Sequence, residues 1–377
     1  MTIADDEFER TIINVRKRPS GIAPPAEEIG HYLLASKAGE PPRRVEVGAQ
    51  PITIGRDPKQ ALALADTEVS RLHARVFLSK GAAVVEDMGS TNGTFLDGRR
   101  LTVPVELKLG AVLRLGSYAI TYERRSRRDV DRAEDLDRDL QRAGEYVLAL
   151  LPPPVLDGPV RADWRFVPSA QLGGDAFGYD WLDPDTFLFY LIDVAGHGAK
   201  SAMHSVTVLN LLRQRALPGI DFADPSSVLA SLNERFQMDT HGGLLFTMWY
   251  GVYSVRNRTV TFSAAGHHPA YLIAPDKSAS VPLGLPALMI GAMPGLEFDV
   301  RQATVPAGGS ICLFSDGVFE VVTTDQTQWT LNDFEPLLIE PALPGVSEAD
   351  RLFRAVKRVT GQRPFDDDAS LVVLTFP

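Results

Sequence analysis

The chain has 377 residues, 45% hydrophobic and 23% charged, which is ordinary for a globular protein and too long for a single core, so two domains are expected. A formal charge of −10 argues against a nucleic-acid partner, and one cysteine excludes an internal disulfide framework and suits a reducing compartment. The start, MTIADDEFERTIINVRKRPSG, lacks the basic and apolar parts of a secretion signal, and no run is long enough to span a membrane, so a cytoplasmic protein with no membrane partner is expected.

Residues 1–30 are polar and Pro-containing and read as a flexible tail. Residues 31–123 hold short β-type runs such as RVEVGAQPITIG, HARVFLS, AAVVEDM and VLRLGSYAITYE. Asp-Pro, Asn-Gly and Asp-Gly turns separate them, the pattern of an all-β sandwich. Residues 124–151 turn to Arg, Asp, Glu, Leu and Ala, with apolar positions at Ala133, Leu136, Leu140, Ala143, Val147 and Leu150. That three-four spacing predicts a helical linker ended by Pro152, Pro153 and Pro154. Two readings stay open: a short coiled coil forming a homodimer, or an amphipathic helix packed on its own domain.

Residues 152–377 alternate apolar strands, among them TFLFYLID, MWYGVYSV, TVTFSAAG, SICLFSD and ASLVVLTF, with helices at KSAMHSVTVLNLLRQRAL and PSSVLASLNERFQ. Asp224 is a candidate N-cap of the second helix, with Pro225 at its first position. MWYGVYSVRNRTVTFSAAG predicts an antiparallel hairpin, and the whole an α+β domain.

Within the first domain, Gly55-Arg56, SRLHA (70–74) and GSTNGTFLDG (89–98) offer what a phosphate dianion needs: a fixed cation, hydroxyls and amides on a rigid sandwich. Arg56 can bond bidentately, Ser70 and Thr91 supply hydroxyls, and the Asn92 amide can hold a peptide backbone. Singly, each has a structural explanation, since Asn-Gly and Asp-Gly are common turn formers and His73 suits a satisfied structural histidine. Together, in this order, the segments resemble the forkhead-associated (FHA) domain, a phosphothreonine-binding β-sandwich. The resemblance implies that Arg56, Ser70, Arg71, Thr91 and Asn92 contact phosphothreonine or its peptide, while His73 and Gly93 hold loop shape.

The second domain places acids at strand ends: Asp175 after Gly173 and Gly174, Asp193 ending TFLFYLID, Asp316 after SICLFS, and Asp367 within DDDAS. Gathered carboxylates repel unless cations neutralise them, and all-oxygen ligation favours magnesium or manganese over zinc. Such a site suits attack of a metal-activated hydroxide on a phosphomonoester.

From DLQRAGEYVLALLPPP through GGDAFGYDWL, DVAGHG, TMWYGVYSVRNRTVTFSAAGHHPAYL, SDG and DDDASLVVL, the sequence resembles the metal-dependent protein phosphatases (PPM) of the bacterial stress-response and sporulation type, relatives of protein phosphatase type 2C. The resemblance implies two antiparallel sheets between helix layers and two Mn2+ or Mg2+ ions. Asp193 would bridge the ions, the Val194 carbonyl would add a ligand, and Asp175, Asp316 and Asp367 would complete the site, Asp193 and Asp175 being catalytic. It also implies phosphorylated anti-anti-sigma-type proteins as substrates.

Gly178 stands where the family commonly has a second Asp, and which of Asp366, Asp367 and Asp368 faces metal is a register question in which Ser370, aligned with the family's usual Thr, favours Asp367. His197 is read as shaping the turn or protonating a leaving group, His267 and His268 as turn residues rather than zinc ligands, and Cys312 as a core thiol. The function expected is a protein serine/threonine phosphatase recruited or regulated through phosphothreonine on a partner or on its own tail, at Thr11. The alternative is a phosphopeptide-binding scaffold with a weak or inactive phosphatase domain.

Overall fold

The computed structural model describes residues 28–37, 40–361 and 363–377, so nearly all of the expected tail, Thr11 included, lies outside the described residues. The chain divides into two units, Met1–Glu134 and Asp135–Pro377.

The first unit holds strands β1 (Ile29–Lys37), β2 (Glu40–Glu46), β3 (Ile52–Gly55), β4 (Leu62–Ala63), β5 (Ala74–Ser79) and β6 (Ala82–Asp87). There follow β7 (Phe95–Leu96), β8 (Arg99–Arg100), β9 (Val105–Glu106), β10 (Val112–Leu115) and β11 (Tyr118–Ser126). They form a six-stranded sheet, β2-β1-β11-β10-β7-β8, and a five-stranded one, β4-β3-β5-β6-β9. Alternating residues such as Leu33, Ile54, Val76, Val85, Leu113 and Ile120 are fully buried in one cluster, which is the period-two pattern of a sandwich. Asp97 and Gly98 both take positive φ, 47° and 83°, making the tight β7–β8 turn that Asp-Gly favours.

The helix expected from residue 124 begins three residues later, as α1 (Arg127–Leu150). The β11 ladder against β1 continues through Arg124 to Ser126, which pairs with Ile29, so strand pairing overrides helical composition there. Of the apolar stripe, Leu140, Val147 and Leu150 are half-buried, while Ala133, Leu136 and Ala143 are exposed. The helix presses closest at Gly144, where a Cβ would collide with the Gln171 carbonyl, and Gln171 also donates to Asp137 at 2.8 Å. The C-terminal half of the linker therefore docks on its own domain.

The second unit contains β12 (Arg161–Val167), β13 (Ala176–Asp183), β14 (Thr186–Val194), α2 (Ala199–Arg213), α3 (Pro225–Arg235), β15 (Phe246–Ser254) and β16 (Thr259–Ala265). It continues with β17 (Ala270–Ile273), β18 (Ser280–Leu283), β19 (Arg301–Thr304), β20 (Gly309–Phe314), α4 (Leu331–Leu338), α5 (Glu348–Val359) and β21 (Ala369–Phe376). Two antiparallel sheets result, β13-β14-β15-β16-β19 and β12-β21-β20-β17-β18. Helices α2 and α3 cover the first, α5 with α4 beside it covers the second, and aromatic residues such as Phe189, Trp249 and Phe376 fill the layer between sheets.

The predicted β15–β16 hairpin is present, and Asp224 caps α3 by accepting from the Ser226 amide, with Pro225 at the first position. Helices α4 and α5 were not singled out by the sequence. The apolar face of α5 is interrupted by Arg351, which is buried yet matched by Glu348, Glu340 and the Leu337 carbonyl. Cys312 lies buried inside β20.

Candidate functional site

In the first unit, three loops converge. Arg56 follows β3, Ser70 and Arg71 precede β5, and Thr91 and Asn92 follow β6. The Arg56 amide donates to the Ser70 carbonyl at 2.9 Å and the Asp57 amide to the Arg71 carbonyl at 3.3 Å. Gly55 permits this approach, because a Cβ there would run into the Arg71 carbonyl. Ser70 Oγ accepts from the Thr91 amide at 3.1 Å and lies 3.4 Å from the Thr91 hydroxyl, and Asn92 Nδ2 donates to the Glu68 carbonyl at 2.8 Å.

Beneath the loops, His73 is fully buried, and burial lowers its pKa, so it is neutral. Its Nδ1 accepts from the Ser70 amide at 3.1 Å, which places the proton on Nε2, 3.2 Å from the Gly93 carbonyl. Asp87 accepts from the amides of Gly89 and Ser90 and the hydroxyls of Ser90 and Thr94. Burial opposes its ionisation, but these bonds prevail and hold its pKa down at about 2. The Arg56 and Arg71 side chains are exposed, and neither has an ion-pair partner among the described residues. Two unmatched guanidinium groups beside hydroxyls on a braced loop set can hold a phosphate.

In the second unit, all four predicted acids come to one end of the sheets. Asp175 leads into β13 and Asp193 lies near the end of β14, while Asp316 follows β20 in a 3-10 turn and Asp367 precedes β21. Ser370 Oγ donates to Asp175 Oδ2 at 2.6 Å, tying one sheet to the other. Gly317 lets the β20 turn press on the 367–368 backbone, where a Cβ would meet the Asp368 carbonyl. Gly174 likewise leaves room for the Val194 carbonyl, 2.8 Å from where its Cβ would stand.

The acids raise one another. Asp193 is pushed up to about 8 by burial and by Asp316, Asp367, Asp368 and Glu320. Asp316 rises to about 6 through burial, Asp367 and Glu320. Asp175, wholly buried, is raised by desolvation and then by Asp193 and Asp368, and Asp367 rises by desolvation and Asp368, with His197 opposing. Carboxylates held against their own repulsion are the donor set that hard divalent cations neutralise, which fits Mg2+ or Mn2+. Among the described residues, no three Asp, Glu, His or Cys side chains stand at ion-holding spacing. The fit therefore rests on this donor chemistry, with side-chain rotation needed to close the shell.

Of two further acids near the site, Glu320 escaped sequence reasoning and Asp368 was passed over in favour of Asp367. Glu320 lies four residues after Asp316, and its amide bonds the Asp316 carbonyl at 2.7 Å, so the 3-10 turn brings it back toward the cluster. Asp368 is 2% exposed and accepts from the Ser169 amide at 2.7 Å, the Ser169 hydroxyl at 3.0 Å and the Gly174 amide. It anchors the loop that carries Asp175, whereas its neighbour Asp367 is more open. The triple Asp run was the signal, but its division of labour needs the β21 register.

His267 and His268 sit in the connection between β16 and β17, His267 buried and His268 half-buried. Each Nδ1 bonds a backbone carbonyl, at 2.8 and 3.1 Å, and burial lowers both pKa values, that of His267 to about 4.

The family model described as Stage II sporulation protein E (SpoIIE) matches residues 183–377, just over half of the chain. The chain belongs to the SpoIIE family. Asp193, Asp316 and Asp367 lie inside the matched region and Asp175 just before it. An FHA domain model matches residues 52–116, which include all five predicted phosphate-loop residues. Phosphoserine phosphatase RsbP of Bacillus subtilis is 26% identical over 187 residues, 48% of this chain and 45% of that protein. FHA domain-containing protein FhaB of Mycobacterium tuberculosis is 37% identical over 89 residues, 24% of this chain and 57% of that protein. This SpoIIE-family chain thus spans about half the length of the curated relatives it matches. The SiaA-PP2C domain of Pseudomonas aeruginosa shares the fold, with a TM-score of 0.56 at 18% identity, covering 65% of this chain and 98% of that one.

Proposed function

We propose that the chain is a protein serine/threonine phosphatase dependent on two Mn2+ or Mg2+ ions, with an FHA domain that binds phosphothreonine for recruitment or regulation. The carboxylate cluster carries this reading: Asp193 is raised by burial and then by Asp316 and Asp367, a repulsion that bound cations would relieve. In this assignment Asp193, the Val194 carbonyl, Asp175, Asp316 and Asp367 would hold the ions, and Ser370, whose hydroxyl donates to Asp175, would orient that carboxylate. The ions would supply hydroxide at neutral pH and neutralise charge developing on the phosphoryl group. RsbP and RsbU of Bacillus subtilis, both named phosphoserine phosphatases, support a phosphoserine protein as substrate, and the anti-anti-sigma class is the one the family resemblance implies.

The test is release of inorganic phosphate from a phosphoserine protein. Activity should require Mn2+ or Mg2+, vanish in chelator, and fall roughly a hundredfold or more in Asp316→Asn. Chelator-insensitive activity would refute the metal assignment.

For the FHA domain, Arg56→Ala should weaken binding of a phosphothreonine peptide by about tenfold or more, because a charge-assisted pair is lost. The thermal midpoint should not move, since the exposed Arg56 side chain has no ion-pair partner among the described residues. A peptide phosphorylated at Thr11 is the first ligand to titrate. Equal affinity in wild type and variant would remove Arg56 from the site.

A further inference from the structure

A cavity of about 380 Å3 opens in the second unit among the end of α1, strands β13 and β14, and the end of α2. It is distinct from the carboxylate cluster. Tyr190, which lines it, lies three residues before Asp193 on β14 and so points to the opposite face of the sheet.

Tyr190 is 3% exposed, and its hydroxyl has no hydrogen-bond partner among the described residues. Its position follows from Gly178, the site of the departure from the family pattern: any Cβ at residue 178 would meet the Tyr190 ring and hydroxyl. Glycine there lets the phenol lie across the neighbouring strand beside the cavity. Burial raises the Tyr190 pKa, so at neutral pH the hydroxyl keeps its proton and can donate.

The charges on the wall are unequal. Arg215 donates to Asp180 at 2.9 Å and to the Trp181 carbonyl at 2.6 Å, so its charge is matched. Arg213, in the last turn of α2, has no ion-pair partner among the described residues. The rest of the wall includes Leu151, Pro152, Leu188 and Leu212, and Tyr179, whose hydroxyl is taken up by the Pro153 carbonyl at 2.7 Å. One unmatched cation and one free hydroxyl beside leucine and proline side chains match a single carboxylate on an apolar body. A phosphate dianion would need a second free cation.

We propose that this cavity is a binding site for a small organic carboxylate, held by Arg213 and the Tyr190 hydroxyl. The site is independent of the metal and phosphothreonine assignments. Benzoate, with benzamide as its uncharged counterpart, can be titrated into the full chain by ligand-observed NMR. Benzoate should bind, benzamide about tenfold more weakly, and Arg213→Gln should weaken benzoate by about tenfold. Tyr190→Phe should weaken it several-fold, with thermal midpoints of both variants near wild type. Since benzoate could also meet Arg56 or the metal site, the Arg213→Gln comparison is decisive. No benzoate signal with wild type, equal binding of the two probes, or unchanged affinity in Arg213→Gln would each overturn the proposal.

Discussion

Asp193→Asn is expected to make the metal-free protein more stable at neutral pH while removing its response to metal. Asp193 is raised to about 8 in the folded chain, far above the range of an exposed carboxyl, by burial and by Asp316, Asp367, Asp368 and Glu320. The sign follows from which state holds the proton. Below about pH 4 the carboxyl is protonated both folded and unfolded, and it carries no penalty. Between about pH 4 and 8 the unfolded chain releases the proton while the folded chain retains it. Folding therefore loses about 1.4 kcal/mol per pH unit across that window.

An Asn at this position carries no charge, and its neighbours Asp316 and Asp367 are relieved as well. In chelator at pH 7.5 the variant should melt roughly 5 to 10 °C above wild type, and the gap should shrink as pH falls toward 5. Millimolar Mn2+ should raise the wild-type midpoint, since a metal bound only by the folded state stabilises it, and should leave the variant nearly unmoved. Equal midpoints in chelator would contradict the mutual repulsion of the buried acids, and equal shifts with Mn2+ would contradict the cluster as a metal site. The first outcome tests electrostatics and the second tests ligation, so the two can fail separately.

The second large effect is expected at Asp368. Its buried carboxylate accepts from the Ser169 amide and hydroxyl and from the Gly174 amide, and Gly173 packs so close that a Cβ there would stand 2.8 Å from Asp368 Oδ2. Asp368→Ala strands these donors in a buried site, each at a cost of about 1–3 kcal/mol. The phosphatase unit should lose about 3 kcal/mol or more of stability, and activity should fall because the loop that presents Asp175 is released. Asp367→Ala, at the more open neighbour, should leave stability nearly unchanged while lowering metal response and activity. Chemical denaturation of the two variants side by side checks this. The reverse ranking would mean that Asp368 is the ligand and Asp367 the anchor.

Much of the architecture was legible along the chain. The sandwich of the first unit shows in period-two alternation and in the Asp97-Gly98 turn, and the β15–β16 hairpin in two apolar runs separated by a polar break. Local signals suffice there because turn chemistry and strand alternation involve residues close in sequence. The start of α1 was less legible. Arg124 to Ser126 have helical company, yet they pair with strand β1 some ninety residues earlier, a contact that composition cannot report. The α1 stripe was legible as a pattern, but its closest contact is at Gly144, which the pattern did not include, because a missing side chain gives no hydrophobic signal. Helices α4 and α5 went unmarked since α5 buries an arginine, whose partners Glu340 and Glu348 can be identified only once the turn is folded.

By itself, the sequence determined the residue types that the chemistry requires: strand-end carboxylates with no competing nucleophile in one domain, and arginines, hydroxyls and an amide in turn-rich loops in the other. Tertiary structure decided which acids act together. Glu320 and Asp368 join the cluster, and Asp368 is an anchor rather than an open acid, because β21 runs beside β20 in a single register that buries one aspartate and exposes the next. It also decided the consequence of Gly178. In the sequence that residue is only an absent acid, whereas in the fold the space beside it holds the Tyr190 phenol, since the two are paired across β13 and β14. Such facts depend on contacts between residues distant in the chain, and these exist only after the sheets have formed.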